Sequence, residues 1–259
     1  MRQDERTAFD RALERARRSA YPPGEFVGQE SFMRAGEVLS LARHAGVGPG
    51  VSVLDLCCGV AGPGRFITRE LGCTYLGVDG SASALDIARE RATGLDCRFE
   101  VCDVPPLPSG RFDVVMLLET ILAFPDKEEL LRHIAGALTT GGRFAFTLEE
   151  GDPLTLAERA QMPDADTVWL VPLPEMLSML DDAGLSVRWH TECTRSHRAT
   201  AESLTKAYEA EAASITAEVG ELAFHELLAA HRLWVDWFRE GRVRKFALVA
   251  EKPPPPTRH

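Results

Sequence analysis

The sequence predicts an α/β fold, a mostly parallel sheet with helices on both faces. Three observations lead there. From about residue 51, apolar β-branched runs alternate with amphipathic stretches in a strand–helix rhythm. The run Phe112 to Leu118 is nearly all apolar, as a central strand covered on both faces has to be. The first run, Val51 to Cys57, opens into a glycine-rich turn followed by a helical stretch, the arrangement in which a parallel sheet takes a ligand at its strand ends.

The elements follow in order. An N-terminal helix carries Phe9, Ala12, Leu13 and Ala16 on one face, and Tyr21-Pro22-Pro23-Gly24 breaks it. A second helix, from Ser31 to about His44, leads into the first strand. After the glycine turn, Phe66, Ile67 and Leu71 mark a short helix, and Thr74 to Asp79 is the second strand. Ser81 caps a helix with apolar positions at Ala84, Leu85 and Ala88. Cys97 to Cys102 and Phe112 to Leu118 are the third and fourth strands. Asp126 opens a helix, Glu129 completes a capping box, and Leu130, Ile134 and Leu138 form its buried stripe. Gly141 and Gly142 end that helix, and Arg143 to Leu148 is the fifth strand. Leu185 to Cys193 and Val243 to Glu251 read as two more. Between these last two lie residues 195 to 241 with two helical patterns, one with Leu204, Tyr208, Ile215 and Val219, the other with Phe224, Leu227, Leu228, His231, Val235 and Phe238. Gly220 separates the two patterns and Gly241 ends the second. An insertion of this size at a sheet edge is expected to cover something, here the mouth of an active site. Pro253 to Pro256 is expected to be a loose tail.

Composition narrows the function. A chain of 259 residues, 45% of them hydrophobic, supports one substantial core with an inserted cap. No stretch approaches the roughly 20 apolar residues of a membrane span. Met1 to Arg18 is charged and lacks the apolar block of a secretory signal, so the expected location is the cytoplasm. A net charge of −10 makes a poor general binder of nucleic-acid backbones, and the arginines near the start are interleaved with Asp4, Glu5, Asp10 and Glu14. None of the six cysteines forms a C-x-x-C pair, and the seven histidines show no spacing such as H-E-x-x-H. Reduced thiols and no metal are expected. Monomer and homodimer both remain open.

The informative segment is Val53-Leu54-Asp55-Leu56-Cys57-Cys58-Gly59-Val60-Ala61-Gly62-Pro63-Gly64. Glycine lets backbone approach a ligand without a Cβ in the way, and the helix N-terminus that follows favours negative charge. Asp79 ends the second strand 20 residues beyond Gly59, which suits a carboxylate accepting hydrogen bonds from both hydroxyls of a ribose. Asp103 follows the third strand in the same way and can accept from an adenine amino group, with Val104 beside it.

On these residues the sequence resembles the class I S-adenosylmethionine-dependent methyltransferases. The matching segments are Asp55 to Gly62, Val78-Asp79-Gly80, Cys102-Asp103-Val104, Phe112-Asp113-Val114-Val115 and Gly141-Gly142, in the family's order and spacing over roughly residues 25 to 150. The resemblance implies a Rossmann-like seven-stranded, mostly parallel sheet with an antiparallel last strand, here with a helical cap. It implies S-adenosyl-L-methionine as cofactor, with Gly59 and Gly62 at its methionine portion, Asp79 at the ribose and Asp103 at the adenine. Cys57, Gly80 and Val104 belong to the same set, and Tyr21 and Gln29 occupy the entry region that closes over the cofactor in small-molecule members. The family's loop often reads G-x-G, whereas Ala61 stands here in the second glycine's place. The expected organisation is N-terminal helices and lid at 1–50, a cofactor-binding core at 51–194, a cap at 195–241, and the last strand with a disordered tail at 242–259, in a single globular domain.

The expected reaction is methyl transfer to an O-, N- or C-nucleophile of a small metabolite by in-line displacement, with no nucleic-acid or membrane partner. A base is needed only where the nucleophile must lose a proton. The resemblance puts Glu119 near the sulfonium and the substrate, where it can also act on a proton; a capping role is the alternative. His231 is a candidate base, although a buried hydrogen-bonded histidine is the favoured reading, and His197 is similar. Thr120, Trp169, Tyr208 and Trp234 are candidate substrate contacts, with Trp237 a further aromatic wall, and packing explains such residues equally well. Glu149 and Glu150 follow the fifth strand, a further place for a base, although solvation is the favoured reading. Two competing functions are a protein of this fold that binds the cofactor for cyclisation or regulation, and a nicotinamide-dependent oxidoreductase. Against the latter, the turn departs from G-x-G-x-x-G and no dehydrogenase-like catalytic set is visible.

Overall fold

The computed structural model describes the backbone of residues 3–254 and the side chains of residues 12–254. The side chain of Phe9, expected on the buried face of the first helix, lies outside the described residues, as do most of the acidic residues interleaved with the first arginines and the end of the proline tail.

Seven strands form one sheet in the order β3-β2-β1-β4-β5-β7-β6. They are β1 (Ser52–Leu56), β2 (Thr74–Asp79), β3 (Cys97–Val101), β4 (Phe112–Leu117), β5 (Leu138–Glu150), β6 (Ser186–Glu192) and β7 (Arg244–Glu251). β1 through β5 pair in parallel, while β7 runs antiparallel to both β5 and β6. The chain winds outward in opposite directions from β1 and β4, so a crevice opens at the carboxyl ends of those two strands.

β4 shows why the sheet is buried on both sides. Val115 and Leu117 pack with Leu54, Leu56 and the helices α5 (Lys127–Ala137) and α7 (Leu173–Asp182) on one face. Val114 and Met116 pack with Val53 and the helices α2 (Ala35–His44) and α3 (Gly62–Leu71) on the other. Each fully buried side chain of this kind contributes about 1.5–3 kcal/mol relative to exposure. Ala84 N–H donates to Ser81 Oγ at the start of α4 (Ala82–Arg91), and Glu129 N–H donates to Asp126 Oδ1 at the start of α5, where the return bond of the expected capping box is not formed.

The cap is a separate layer. Between β6 and β7 stand α8 (Thr194–Ala210), α9 (Ala212–Val219) and α10 (Glu221–Glu240). Ala12, Leu13 and Ala16 of α1 (Gln3–Ala20) pack against Leu204, Tyr208, Ile215 and Phe224 of these helices in a cluster of their own.

Several boundaries differ from the sequence reading. The second helix begins at Ala35, because residues 31–34 belong to a strap running across the sheet's carboxyl edge. α5 ends at Ala137 and β5 starts at Leu138, which already pairs with Phe112 before the register shifts ahead of Arg143. The cap holds three helices, because its first pattern breaks at Glu211. Two helices between β5 and β6 carry no expectation above: α6 (Leu156–Gln161) and α7, where Pro172 starts a turn and Met176 and Leu180 face the core one turn apart.

Candidate functional site

The site begins where β1 ends. In the turn after it, Cys57, Gly59 and Ala61 all take left-handed backbone conformations, with φ of 56°, 53° and 53°. Left-handed backbone is costly for alanine, yet Ala61, fully buried, holds the conformation that the family's second glycine would adopt freely. The coiled turn aims the Gly59 N–H at Asp79, and Oδ2 of that carboxylate accepts it at 2.8 Å. The Ser81 N–H donates to Asp79 Oδ1 at 2.8 Å. A Cβ placed on Gly80 would lie 2.8 Å from Asp103 Oδ1, so only glycine lets the third-strand carboxylate come this close. The glycine loop, Asp79 and Asp103 therefore stand side by side at the ends of the first three strands, and the glycine loop lines a crevice there. Within it Asp55 is buried, accepts a hydrogen bond from Tyr75 Oη at 2.6 Å, and is pushed up to about 7 by burial.

The strap of residues 21–34 closes this crevice from above. A Cβ on Gly62 would stand 2.5 Å from the Gly28 carbonyl, so strap backbone rests directly on the first turn of α3. Gln29, 2% exposed, folds the strap with its whole amide: Nε2 donates to the carbonyls of Glu25 and Met33, and Oε1 accepts from the Val27 N–H. Tyr21 Oη donates to the Ser31 carbonyl, and burial raises its phenol well above the usual range.

Beyond the strap lies a chamber of about 220 Å³ under the cap. Its walls are largely apolar and aromatic, with Phe32, Leu122, Leu204, Trp234 and Phe238, and Tyr208 and His231 add polar edges. Gln29, Glu30, Ser31 and Glu119 line both the chamber and the cofactor crevice, so the two spaces adjoin at these residues. His231 Nδ1 stands 2.9 Å from the Leu227 carbonyl. A carbonyl only accepts, so Nδ1 carries the proton and Nε2 keeps its lone pair. Burial lowers the imidazole below its ordinary value. Arg17 reaches Glu30 at 2.6 Å and Tyr208 Oη at 3.4 Å.

The floor holds a buried row of ionisable groups. Glu119 ends the segment after β4 with φ of 59°, accepts from the Phe32 N–H at 3.3 Å, and meets Lys245 Nζ at 2.7 Å through Oε1. Lys245 is wholly buried and also bonds Glu149 Oε1. Burial pushes the Glu119 carboxyl up, but Lys245 and then His197 outweigh it and hold the group below the usual range. Burial, with Glu119 adding to it, raises Glu149 in spite of Lys245. Burial disfavours the Lys245 ammonium, yet the two carboxylates hold its pKa above the ordinary value.

The structure brings most of the sequence-derived residues together. Gln29, Cys57, Gly59, Gly62, Glu119 and Thr120 line the crevice, and Asp79, Gly80 and Asp103 meet at its edge. Tyr208, Trp234 and His231 line the chamber. Tyr21, the first residue of the strap, lines neither space and ties the strap to itself through the Ser31 carbonyl. Trp169 is not part of the chamber: it stacks on Arg159, and its indole N–H donates to the Asp166 carbonyl. Trp237 is a core residue beside Arg242. Glu149 is not solvated but 6% exposed, because Lys245 projects from the neighbouring antiparallel strand to meet it. Arg17, Glu30 and Lys245 were missed; a lone lysine within the apolar run of β7 was the available signal for the last.

The crevice fits the expected cofactor. It joins a glycine turn with no side chain in the way, a carboxylate after β2 with lone pairs to spare, and a second carboxylate after β3. The methyltransferase domain family matches residues 53–142. The methyltransferase GfsG of Streptomyces halstedii is 26% identical over 86% of this chain and 83% of its own length. Phosphoethanolamine N-methyltransferase 1 of Arabidopsis thaliana is 36% identical, but over 37% of this chain and only 20% of its own. Among solved structures, the cyclase SpnF shares the fold with a TM-score of 0.74 at 17% identity, covering 96% of this chain and 95% of that one. Residues 53–142 thus form a methyltransferase domain of the class I S-adenosylmethionine-dependent type, and S-adenosylmethionine is its cofactor.

Proposed function

We propose that this enzyme methylates a hydroxyl group on a small, largely apolar molecule held under the cap, with His231 as the base. When bound, S-adenosylmethionine supplies a methyl group on a sulfonium, which needs little activation. The residues we assign to it are Gly59 and Gly62 at the methionine portion, Asp79 at the ribose hydroxyls, and Asp103 with Val104 at the adenine. Gln29 and Tyr21 keep the strap shut over it and exclude water. Glu119, ionised and shared by the two spaces, lies where a carboxylate favours a cationic donor.

The observation that carries the reading is the chamber adjoining the crevice, with a neutral, Nδ1-protonated His231 in its wall. His231 Nε2 would take the proton that the substrate hydroxyl loses on methylation. Phe32, Tyr208, Trp234 and Thr120 hold the apolar body in line.

Charge accounting narrows the substrate further. The chamber's cation, Arg17, is engaged by Glu30, and Lys245 beneath it is taken by Glu119 and Glu149. Among the described residues no cation is left for an anionic group, so phosphoethanolamine and dimethylglycine, substrates named for relatives that match in part, are expected to be poor ones. A cap-covered chamber in a chain of charge −10 also favours a metabolite over nucleic acid, and unpaired cysteines favour a reducing, cytoplasmic setting.

The test is release of S-adenosylhomocysteine with a panel of apolar alcohols and phenols beside phosphoethanolamine and dimethylglycine. Turnover is expected with the former and not the latter. His231→Ala is expected to lower kcat by about 100-fold or more. The wild-type rate should rise with pH through a value below 6.5 and level off near neutrality, because the base works only unprotonated. Equal turnover of the anionic amines, or an unchanged pH profile in His231→Ala, rules the reading out.

A further inference from the structure

Outside the chamber, Glu37, Cys193 and His197 bring a carboxylate oxygen, a thiol sulfur and an imidazole nitrogen within 4.8 Å of one another. Cys193 and His197 stand four residues apart at the start of α8, on one helix face. Glu37 comes from the first turn of α2 and is already aimed: Ser196 Oγ donates to its Oε1, and the Arg34 N–H donates to its Oε2 at 2.8 Å.

His197 is the unusual member. It is wholly buried, and neither ring nitrogen has a hydrogen-bond partner. An orphaned pair of buried nitrogens is costly. Nε2 lies 3.5 Å from Glu37 Oε2, and Nδ1 lies 3.9 Å from Glu119 Oε2. The first distance is long for a hydrogen bond. It is an ordinary separation for two ligands that each stand about 2.0–2.2 Å from one tetrahedral ion. Glu119 stands on the far side of the ring, beyond hydrogen-bond reach of Nδ1.

Charge points the same way. Glu37, Glu119 and Glu149 form a row of carboxylates in which Lys245 is the one lysine, and Lys245 is spent on the last two. Glu37 and His197 are left to balance each other.

We propose that Glu37, Cys193 and His197 bind one divalent cation of borderline softness, zinc in kind, that ties the cap helix α8 to α2. On binding, the Cys193 thiol loses its proton to solvent and a sulfur–metal bond forms; His197 binds through Nε2 and Glu37 through Oε2, and nothing is oxidised or reduced. Three protein ligands leave the fourth position to water. Because α8 carries Leu204 and Tyr208 of the chamber wall, the ion pins the chamber's roof to the core. The expectation of no metal came from spacing within single segments, which cannot register a third ligand from a helix some 155 residues away.

The experiment uses the full chain, purified without chelator. Elemental analysis should find about one equivalent of zinc, and titration of the zinc-free protein with cobalt should produce the near-ultraviolet absorption of a cobalt–thiolate bond. That absorption should vanish in Cys193→Ser, and cobalt affinity should fall about 10-fold or more in Glu37→Gln and His197→Gln. Far-ultraviolet circular dichroism checks that each variant is folded, and Glu37→Gln decides the matter if Cys193→Ser is not. No stoichiometric metal and no cobalt–thiolate absorption in the wild type would overturn the proposal in favour of a charged imidazole held between Glu37 and Glu119. So would absorption that persists in Cys193→Ser, or an affinity unchanged in Glu37→Gln. None of these readouts depends on methyl transfer, so they succeed or fail apart from the substrate reading.

Discussion

The crevice at the ends of β1, β2 and β3 and the chamber under the cap share four residues but are built by different means. The crevice is mostly backbone: a coiled turn, glycines cleared of side chains, and carboxylates fixed by neighbouring N–H groups. The chamber is mostly side chains drawn from α1, the strap, β5, α8 and α10, above a row of buried charges. Backbone recognition suits a ligand that does not change, whereas a wall of separate side chains can be altered one residue at a time to admit a new substrate.

The charges beneath the chamber are the first place to break that contrast. Lys245→Met leaves Glu119 and Glu149 facing each other without their cation, and removing one partner of a buried pair typically costs about 3–5 kcal/mol. Urea unfolding should show a loss of that size, with cofactor affinity in the surviving folded protein changed less. Adding Glu149→Leu should restore part of the stability, since it removes one stranded carboxylate. A loss below about 1 kcal/mol would mean that the row is not a buried electrostatic unit.

The same contrast explains what could be read in the sequence. The crevice comes from contiguous segments, so the run Asp55 to Gly64 and the acids after β2 and β3 were legible as residue types at strand ends. The sheet was legible too, because both-sided burial makes β4 a continuous apolar run. The chamber was legible only in part. Tyr208, Trp234 and His231 stand on helical stripes, and a stripe says that a residue is inward without saying whether it meets core or cavity. Trp169 shows the ambiguity this leaves: an aromatic in an apolar segment fits a wall or packing equally, and the structure stacks it on Arg159. Glu149 shows the converse: a carboxylate after a strand looks solvated until a lysine 96 residues away pairs with it.

On the crevice side, Gly62→Val sharpens the comparison. A branched side chain there drives into the Gly28 carbonyl, and backbone cannot yield as a flexible side chain does. The strap must lift, at a cost of about 1–3 kcal/mol in stability, and calorimetry should find S-adenosylmethionine binding weakened about 10-fold or more. Asp79→Ala is a smaller insult. It removes the acceptor of the Gly59 N–H and the assigned ribose carboxylate, so affinity should fall at least about 10-fold, or about 1.4 kcal/mol, with little change in the unfolding midpoint. Unchanged affinity in a folded Asp79→Ala protein would sink the ribose assignment while leaving the chamber untouched.

The smallest effect lies at the rim, where Arg242 joins the entry to β7 to α6 through two contacts with Glu158, at 2.5 and 3.1 Å. The Arg242 hydrogen bond holds the Glu158 carboxyl down at about 2, against an ordinary 4.5. A carboxyl depressed in the folded state adds stability that is fully present above its unfolded value and disappears as the pH falls through the folded one. Glu158→Gln should therefore cost less than about 1 kcal/mol at neutral pH, because solvent reaches both partners. Wild type and variant should converge in stability between about pH 4.5 and 2. A gap between them that stayed constant over that window would mean that Glu158 contributes by packing or by capping α6 through Thr155 rather than by its charge.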